Sequence, residues 1–200
     1  MKILNWNVNL YIANVKGEIQ DPYKREFLIL KTILNEIPDI ICLQESNRNL
    51  IDSLTKNDYI LKGETLSHGG ICCILAKSSL EITNIEINHS VGLSITVENK
   101  KIATCHLAPY NNHSFRKIQL ADFPSDLSLI CGDFNDSDID VKNLIKHTNS
   151  ITWYLKFFNV GSNVCKKYDH VYSDKDTIIN SLKVYDYNSL SDHVPIVVEI

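Results

Sequence analysis

The chain has no long apolar run, no paired-cysteine spacing of the zinc type, no excess of positive charge, no internal repeat and no low-complexity tract. Each absence removes a class of protein. Without about 20 consecutive apolar residues, no helix is expected to span a membrane. The six cysteines, Cys42, Cys72, Cys73, Cys105, Cys131 and Cys165, mostly lie in apolar runs, and vicinal Cys72 and Cys73 would point to opposite faces of a strand. They read as small core residues in a reducing compartment. A net charge of −4 argues against a generic basic coat for nucleic acid. It leaves room for phosphate chemistry, because a bound divalent cation brings positive charge to the one place that needs it. No signal peptide is expected, since the first strand starts at Lys2. The glycosylation sequons at Asn88, Asn112 and Asn135 then carry no meaning. The expectation is a soluble, intracellular protein (cytoplasm or nucleus) that is monomeric.

What is present fits one domain spanning 1–200. Hydrophobic residues are 44% and charged residues 22%, enough for a real core. Residues 2–8 alternate and read as a strand, followed by a polar loop. Asp21-Pro22 opens a helix whose apolar face is Phe27, Leu30, Ile33, Leu34 and Ile37, ended by Pro38. Residues 39–44 form a short apolar strand of the kind buried on both faces. Ser46 is a candidate cap for a helix carrying Leu50, Ile51 and Leu54. Strands follow at 59–62, 71–76, 80–87, 91–97 and 101–107, then a helix at 115–121. After the strand ending at Gly132, the pattern gives a helix at 138–147 and strands at 164–172, 177–187 and 194–200. The class is mixed α/β.

Polar groups recur just after the apolar runs. They are Asn7; Gln44-Glu45; His106; Asp133 and Asn135, in Gly132-Asp133-Phe134-Asn135; and Asp192-His193, after Ser191. Asp169-His170 lies inside a sixth strand. In α/β sheets ligands bind off strand ends, so these groups can converge on one cleft. Carboxylates, an amide and an imidazole gathered there suit oxygen-ligated metal chemistry on a phosphate. One Asp-x-Asn after a strand is usually a turn or a helix cap; six such pieces in one chain are not.

Six segments, Asn5-Trp6-Asn7-Val8-Asn9, Leu43-Gln44-Glu45, His106-Leu107-Ala108-Pro109, Gly132-Asp133-Phe134-Asn135, Tyr168-Asp169-His170 and Ser191-Asp192-His193, resemble the motifs of the endonuclease/exonuclease/phosphatase superfamily, in its order. The resemblance implies a four-layer α/β sandwich, two mixed β-sheets face to face with helices outside. It implies Glu45 as the main Mg²⁺ ligand, with Mn²⁺ able to substitute, and Asn7 and Asp192 helping to hold the metal or its waters. His193 would face the scissile phosphate, oriented and kept basic by Asp169. Asp133 would orient or deprotonate the attacking water, and Asn135 would donate to a phosphate oxygen. His106 resembles the histidine of the deoxyribonuclease I and phosphodiesterase branches, for which Glu64 is the candidate glutamate partner.

Arg48 and Tyr110, each beside one of these segments, are the first candidates for gripping substrate. Arg116-Lys117, Trp153-Tyr154, Phe157-Phe158 and Lys166-Lys167 are further ones. For all of them a solvated charge or a core aromatic is the competing reading. His170 reads as a supporting or structural residue, and Trp6 as core. His68, His89, His113 and His147 read as surface residues. Asn9 stands where the nuclease branches commonly have Asp or Gly. The chain is also compact, without a long substrate-gripping insertion. The resemblance thus implies a Mg²⁺-dependent phosphodiesterase acting on a nucleic acid or nucleotide-like phosphodiester. The alternatives are a 5′-tyrosyl-DNA phosphodiesterase, a phosphomonoesterase on a small molecule or lipid headgroup, and a catalytically inactive binding module.

Overall fold

The structure is a computed structural model and describes residues 1–10, 21–67, 70–88, 91–110, 112–154, 164–186 and 189–200. The chain opens with β1 (Lys2–Asn7), whose alternate residues serve two different cores. Leu4 and Trp6 pack toward the helices, and Ile3 packs between the sheets. Helix α1 (Pro22–Glu36) is capped by the Asp21 carboxylate, which accepts from the N–H groups of Tyr23 and Lys24 at 2.9 and 3.1 Å. It stops at Ile37, which is left-handed with φ 50°.

The buried stripe of α1 is Arg25, Ile29 and Ile33, with Leu30 and Leu34 beside it. Phe27 and Ile37, expected on that face, are 62% and 64% exposed. Positions 25, 29 and 33 are each one turn apart, whereas 27 is half a turn away. The sequence hid this because the leading buried residue is an arginine. Its guanidinium donates to the carbonyls of Asn9 and Leu190 at 2.8 and 3.4 Å.

Strand β2 (Ile40–Ser46) returns parallel to β1. Helix α2 (Arg48–Thr55) is capped by Asn47 rather than Ser46; the Asn47 side chain accepts from the Leu50 N–H at 2.8 Å. Strands β3 (Tyr59–Ser67) and β4 (Gly70–Lys77) close this sheet on one side. The second sheet begins with β5 (Ile82–Asn88), β6 (Gly92–Val97) and β7 (Lys100–His106), antiparallel neighbours. Helix α3 (His113–Ala121) leads to β8 (Leu129–Asp133), parallel to β7. Parallel strands here approach so closely that a Cβ on Gly132 would sit 2.1 Å from the Cys105 carbonyl oxygen, so only glycine fits. The remaining strands are β9 (Ile145–Lys146), β10 (Trp153–Tyr154), β11 (Cys165–Lys166), β12 (Asp169–Ser173), β13 (Ser181–Val184) and β14 (Ile196–Glu199).

One six-stranded sheet has the order β13-β14-β1-β2-β4-β3 and the other β5-β6-β7-β8-β12-β9; β10 and β11 form a separate ribbon. Each large sheet is mixed, with one parallel pair among antiparallel ones. Ile3, Ile40, Cys42, Ile74, Ile196 and Val198 of the first meet Leu93, Ile102, Leu129, Cys131 and Val171 of the second in one apolar layer. The first sheet's outer face packs on α1 and α2, and the second's on α3. The result is the expected four layers. Cys72 and Cys73 serve opposite faces of β4, both fully buried.

Three strand and helix expectations are corrected. Residues 138–147 form turns and the two-residue β9, not a helix. Asn143 is left-handed at φ 66°, which ends any helical run, and Ile139 is pulled into the core beside α3. The strand expected at 164–172 is split into β11 and β12. Of 177–187 only β13 is strand, and Tyr187 lies outside the described residues. Asp192-His193 therefore precedes β14 rather than ending a long strand; His193 forms an isolated bridge with Trp153. Among the described residues no helix is long and apolar enough to cross a membrane.

Candidate active site

Read two residues at a time, the inward faces of the central strands change from apolar to polar in one direction. They run Ile3, Asn5, Asn7 in β1; Ile40, Cys42, Gln44 in β2; Ile102, Thr104, His106 in β7; Leu129, Cys131, Asp133 in β8. Because β1 and β2 are parallel, Asn7 lies opposite Gln44; because β7 and β8 are parallel, His106 lies opposite Asp133. Strand β12 runs the other way, and its first residue, Asp169, lies opposite Asp133. The polar ends thus collect at one edge of the sandwich, on the seam between the sheets.

Glu45 reaches this seam through a β-bulge. Leu43 pairs with Cys73 but Ser46 pairs with Ile71, so β2 carries one extra residue. Glu45 absorbs it with φ 50°, a conformation a non-glycine residue rarely adopts. In a regular strand Gln44 and Glu45 would face opposite ways; the bulge turns both side chains to the seam. Gly70 makes room, since a Cβ there would stand 2.5 Å from the Glu45 Cα.

The Asn7 side-chain nitrogen donates to Glu45 Oε1 at 3.0 Å and to Asp133 Oδ2 at 2.9 Å. Its oxygen accepts from the Asn9 N–H at 3.1 Å. His106 Nε2 stands 3.6 Å from Glu45 Oε1 and 3.7 Å from Asp133 Oδ2. His193 Nε2 stands 3.6 Å from the same Asp133 oxygen, while its Nδ1 is bonded to Asp169 Oδ2 at 2.8 Å. The other Asp133 oxygen accepts from the Asn135 N–H at 2.8 Å, and the Asn135 amide donates to the Leu107 carbonyl at 3.0 Å. Asn7, His106, Asp133, Asp169 and His193 are all buried.

Burial and crowding set the protonation. Burial pushes the Asp133 carboxyl up to about 7, with Asp169 adding to the shift, against the opposing effects of His193 and the Asn7 and Asn135 hydrogen bonds. Burial also raises Glu45, against His106 and the Asn7 bond. For His193 burial acts against the charge, but Asp169, Asp133 and Asp192 outweigh it, and the imidazole is raised well above its ordinary value.

Ligand atoms of Glu45, His106 and Asp133 lie within 4.8 Å of one another, as do those of Asp133, Asp169 and His193. Two desolvated carboxylates drawn together on one amide, each resisting ionisation, suit a hard divalent cation, which would relieve their repulsion.

Other expected residues fall into place differently. Both Asp192 oxygens are already engaged, one by Asn9 Nδ2 and one by Trp153 Nε1, each at 2.8 Å. Arg48 and Glu64 bond to each other at 2.5 Å on the rim, and no bond joins Glu64 to His106 among those observed. Tyr110 is 99% exposed. Arg116 is buried and structural: it donates to the carbonyls of Ala108 and Pro109 and pairs with Asp136, tying the loop after His106 to the loop after Asp133. His113 also pairs with Asp136 at 2.8 Å, and Lys167 with Asn149 at 2.7 Å. His170 is fully buried, between Thr148 and the Asp136 carbonyl. Trp6 is core, as expected. His68, His89 and Phe157-Phe158 lie outside the described residues.

Three supports were not foreseen: Arg25, which holds the Asn9 and Leu190 carbonyls; Trp153, which holds Asp192 and packs against Tyr168 at 5.5 Å between ring centroids; and Thr152, whose hydroxyl accepts from the N–H groups of Tyr168 and Asp169.

The Endonuclease/Exonuclease/phosphatase family model matches residues 4–193. Among solved structures, D. rerio TDP2 complexed with a single strand DNA product aligns at TM-score 0.75 and 18% identity, covering 99% of this chain and 97% of that chain. The human Nocturnin catalytic domain with bound sulfate anion aligns at 0.69 and 19%, covering 99% and 92%. An endonuclease/exonuclease/phosphatase from Bacteroides vulgatus aligns at 0.74 and 14%, covering 98% and 97%. No curated protein matches by sequence. At these identities the solved structures show a shared fold, and the family match covers nearly the whole length. The chain belongs to the endonuclease/exonuclease/phosphatase family.

Proposed function

We propose that this chain is a divalent-metal-dependent phosphodiesterase acting on nucleic acid. The observation that carries the reading is the convergence of Glu45, His106, Asp133 and the His193–Asp169 pair on one buried edge. Glu45 is the residue best placed to hold a cation, with Asp133 and His106 beside it; Asn7 and Asp192 complete its surroundings. The cation, Mg²⁺ with Mn²⁺ able to substitute, supplies a Lewis acid for phosphate charge.

The chain's own groups do the rest. Asp169 fixes the His193 ring so that Nε2 faces the cleft, and keeps the ring charged, so His193 donates to a phosphate oxygen. Asp133, held by the Asn7 amide and the Asn135 N–H and 3.6 Å from His193 Nε2, is placed to orient the attacking water and accept its proton. The Asn135 amide uses one N–H on Leu107 and has a second for the phosphate. Asn7 holds Glu45 and Asp133 at a fixed spacing. Two things favour a nucleic acid over a sugar phosphate. The half-buried Trp153–Tyr168 pair stands beside His193 and offers ring faces to bases. And D. rerio TDP2, of like fold, was solved with a single strand DNA product.

The test is Mg²⁺-dependent turnover on single- and double-stranded DNA, RNA, a 5′-tyrosyl oligonucleotide and an inositol phosphate, beside Glu45→Ala and His193→Ala. We expect an oligonucleotide to be cut, and each substitution to lower the rate by roughly 10²-fold or more. Phosphate release from the inositol compound, with every nucleic acid left intact, would move the chain to the phosphomonoesterases.

A further inference from the structure

One residue step below the reacting groups, the layer between the sheets is polar where apolar packing would be expected. Asn5, Gln44 and Thr104 are fully buried. Gln44 Nε2 donates to Asn5 Oδ1 at 3.0 Å and to Thr104 Oγ1 at 2.8 Å. The first bond joins β2 to β1 and the second crosses to β7 in the other sheet. Gln44 Oε1 and Asn5 Nδ2 are buried and have no hydrogen-bond partner among the described residues.

A buried amide left half satisfied is less stable than apolar groups of the same shape. The next step down the same strands is Cys42, Ile3 and Ile102, so this layer accepts apolar packing. Stability therefore does not account for the trio; direction does. Apolar contact between two sheets is non-directional. The site is divided across that contact, with Asn7 and Glu45 on one sheet and His106 and Asp133 on the other. Asn5 is one strand step before Asn7, Thr104 is one step before His106, and Gln44 immediately precedes Glu45 at the bulge.

We propose that Gln44, with Asn5 and Thr104, is a positioning device that sets the register of the two sheets, holding Asn7 and Glu45 against His106 and Asp133, and that the fold keeps it at the expense of stability. Its kinetic consequence alone rests on the phosphodiesterase reading.

The test is the triple variant Asn5→Leu, Gln44→Met, Thr104→Val, which replaces every side-chain oxygen and nitrogen of the trio with apolar groups of similar shape. Three results are expected. The melting temperature equals or exceeds that of the parent. The kcat on the preferred oligonucleotide falls by roughly 10- to 100-fold with KM little changed. In ¹H–¹⁵N spectra the Asn7 side-chain amide, held between Glu45 and Asp133, exchanges faster with water. Thr104→Ser keeps the hydroxyl and is expected to keep the parent's kcat and Asn7 exchange, melting slightly lower for its lost buried methyl. A triple variant that fails to fold, or that melts well below the parent with the Asn7 signal unmoved, would make the trio purely structural and overturn the proposal. The Asn7 signal is read without substrate. An inactive parent would therefore count against the phosphodiesterase reading, while the spectra still decide the register claim.

Discussion

The dipeptide Asp-His occurs twice, at 169–170 and 192–193, and its two histidines have opposite fates. His193 sits against the Asp169 carboxylate and is raised. His170 leaves Asp169 on the other face of β12, as neighbours in a strand must; its ring nitrogens meet a hydroxyl and a carbonyl, and its ring packs against Phe134 and Tyr172. Burial lowers it to about 4 from 6.5. The unfolded chain therefore takes up that proton first as pH falls, and His170 supports the fold above pH 6.5 and loses its contribution as pH falls toward 4. A shift of that size is worth roughly 3 kcal/mol. Asp133 acts in the opposite sense. Its carboxyl is raised to about 7 from 3.8, so the folded state holds the proton longer and stability falls as pH rises between those values. The two must be separated by difference. In urea denaturation with EDTA, His170→Gln is expected to lose less stability than the parent between pH 6.5 and 4, by roughly 3 kcal/mol; parallel curves would show that His170 does not titrate with folding. At this scale the gathering of Asn7, Glu45, His106, Asp133, Asp169 and His193 was legible, because each follows or opens an apolar run. The donors on Asp192 were not: Asn9 lies 183 residues away and Trp153 lies 39 away, with no local pattern to join them.

Among the elements, the bulge in β2 decides the most and announces itself the least. Leu43-Gln44-Glu45 reads as an ordinary strand end, and a strand would send Glu45 away from Gln44. Only the pairing shift and the left-handed Glu45 bring it to the seam. Gly70 carries that geometry from the neighbouring strand, and nothing near Gly70 in sequence points to Glu45. Gly70→Ala places a methyl against backbone, which cannot swing aside as a side chain would. We expect it to cost roughly 1–3 kcal/mol in denaturation and to lower turnover far more than that loss of folded population explains. A variant with parental kcat would show that Glu45 does not depend on the bulge. The helix expected at 138–147 failed for a similar reason. Its apolar residues have partners in the core beside α3 and along β12, and these override a weak helical period. The α1 register was misjudged because a buried arginine was counted as polar. The elements were thus legible wherever burial follows hydrophobicity, and illegible wherever a polar group or a long-range pair decides.

At the level of the molecule, each half of the sandwich contributes one parallel strand pair joined through a helix, β1-α1-β2 and β7-α3-β8, with the strands ending at the same edge. Neither half holds a complete site. The seam concentrates carboxylates in a protein whose net charge is already −4, and two of them resist ionisation. Such an edge is under electrostatic stress that a divalent cation would relieve, so binding should favour the folded chain. At a concentration 100 times the dissociation constant the gain is about 2.7 kcal/mol, or roughly 5–10 °C in melting temperature for a chain of this size. Melts in EDTA, Mg²⁺ and Mn²⁺ measure it. Glu45→Ala is expected to remove most of the shift. Asp133→Asn is expected to melt above the parent in EDTA, because it deletes a charge the fold resists, and to respond less to the ion. An undiminished shift in both variants would place the cation among other acids of the surface and separate it from the seam where the two halves meet.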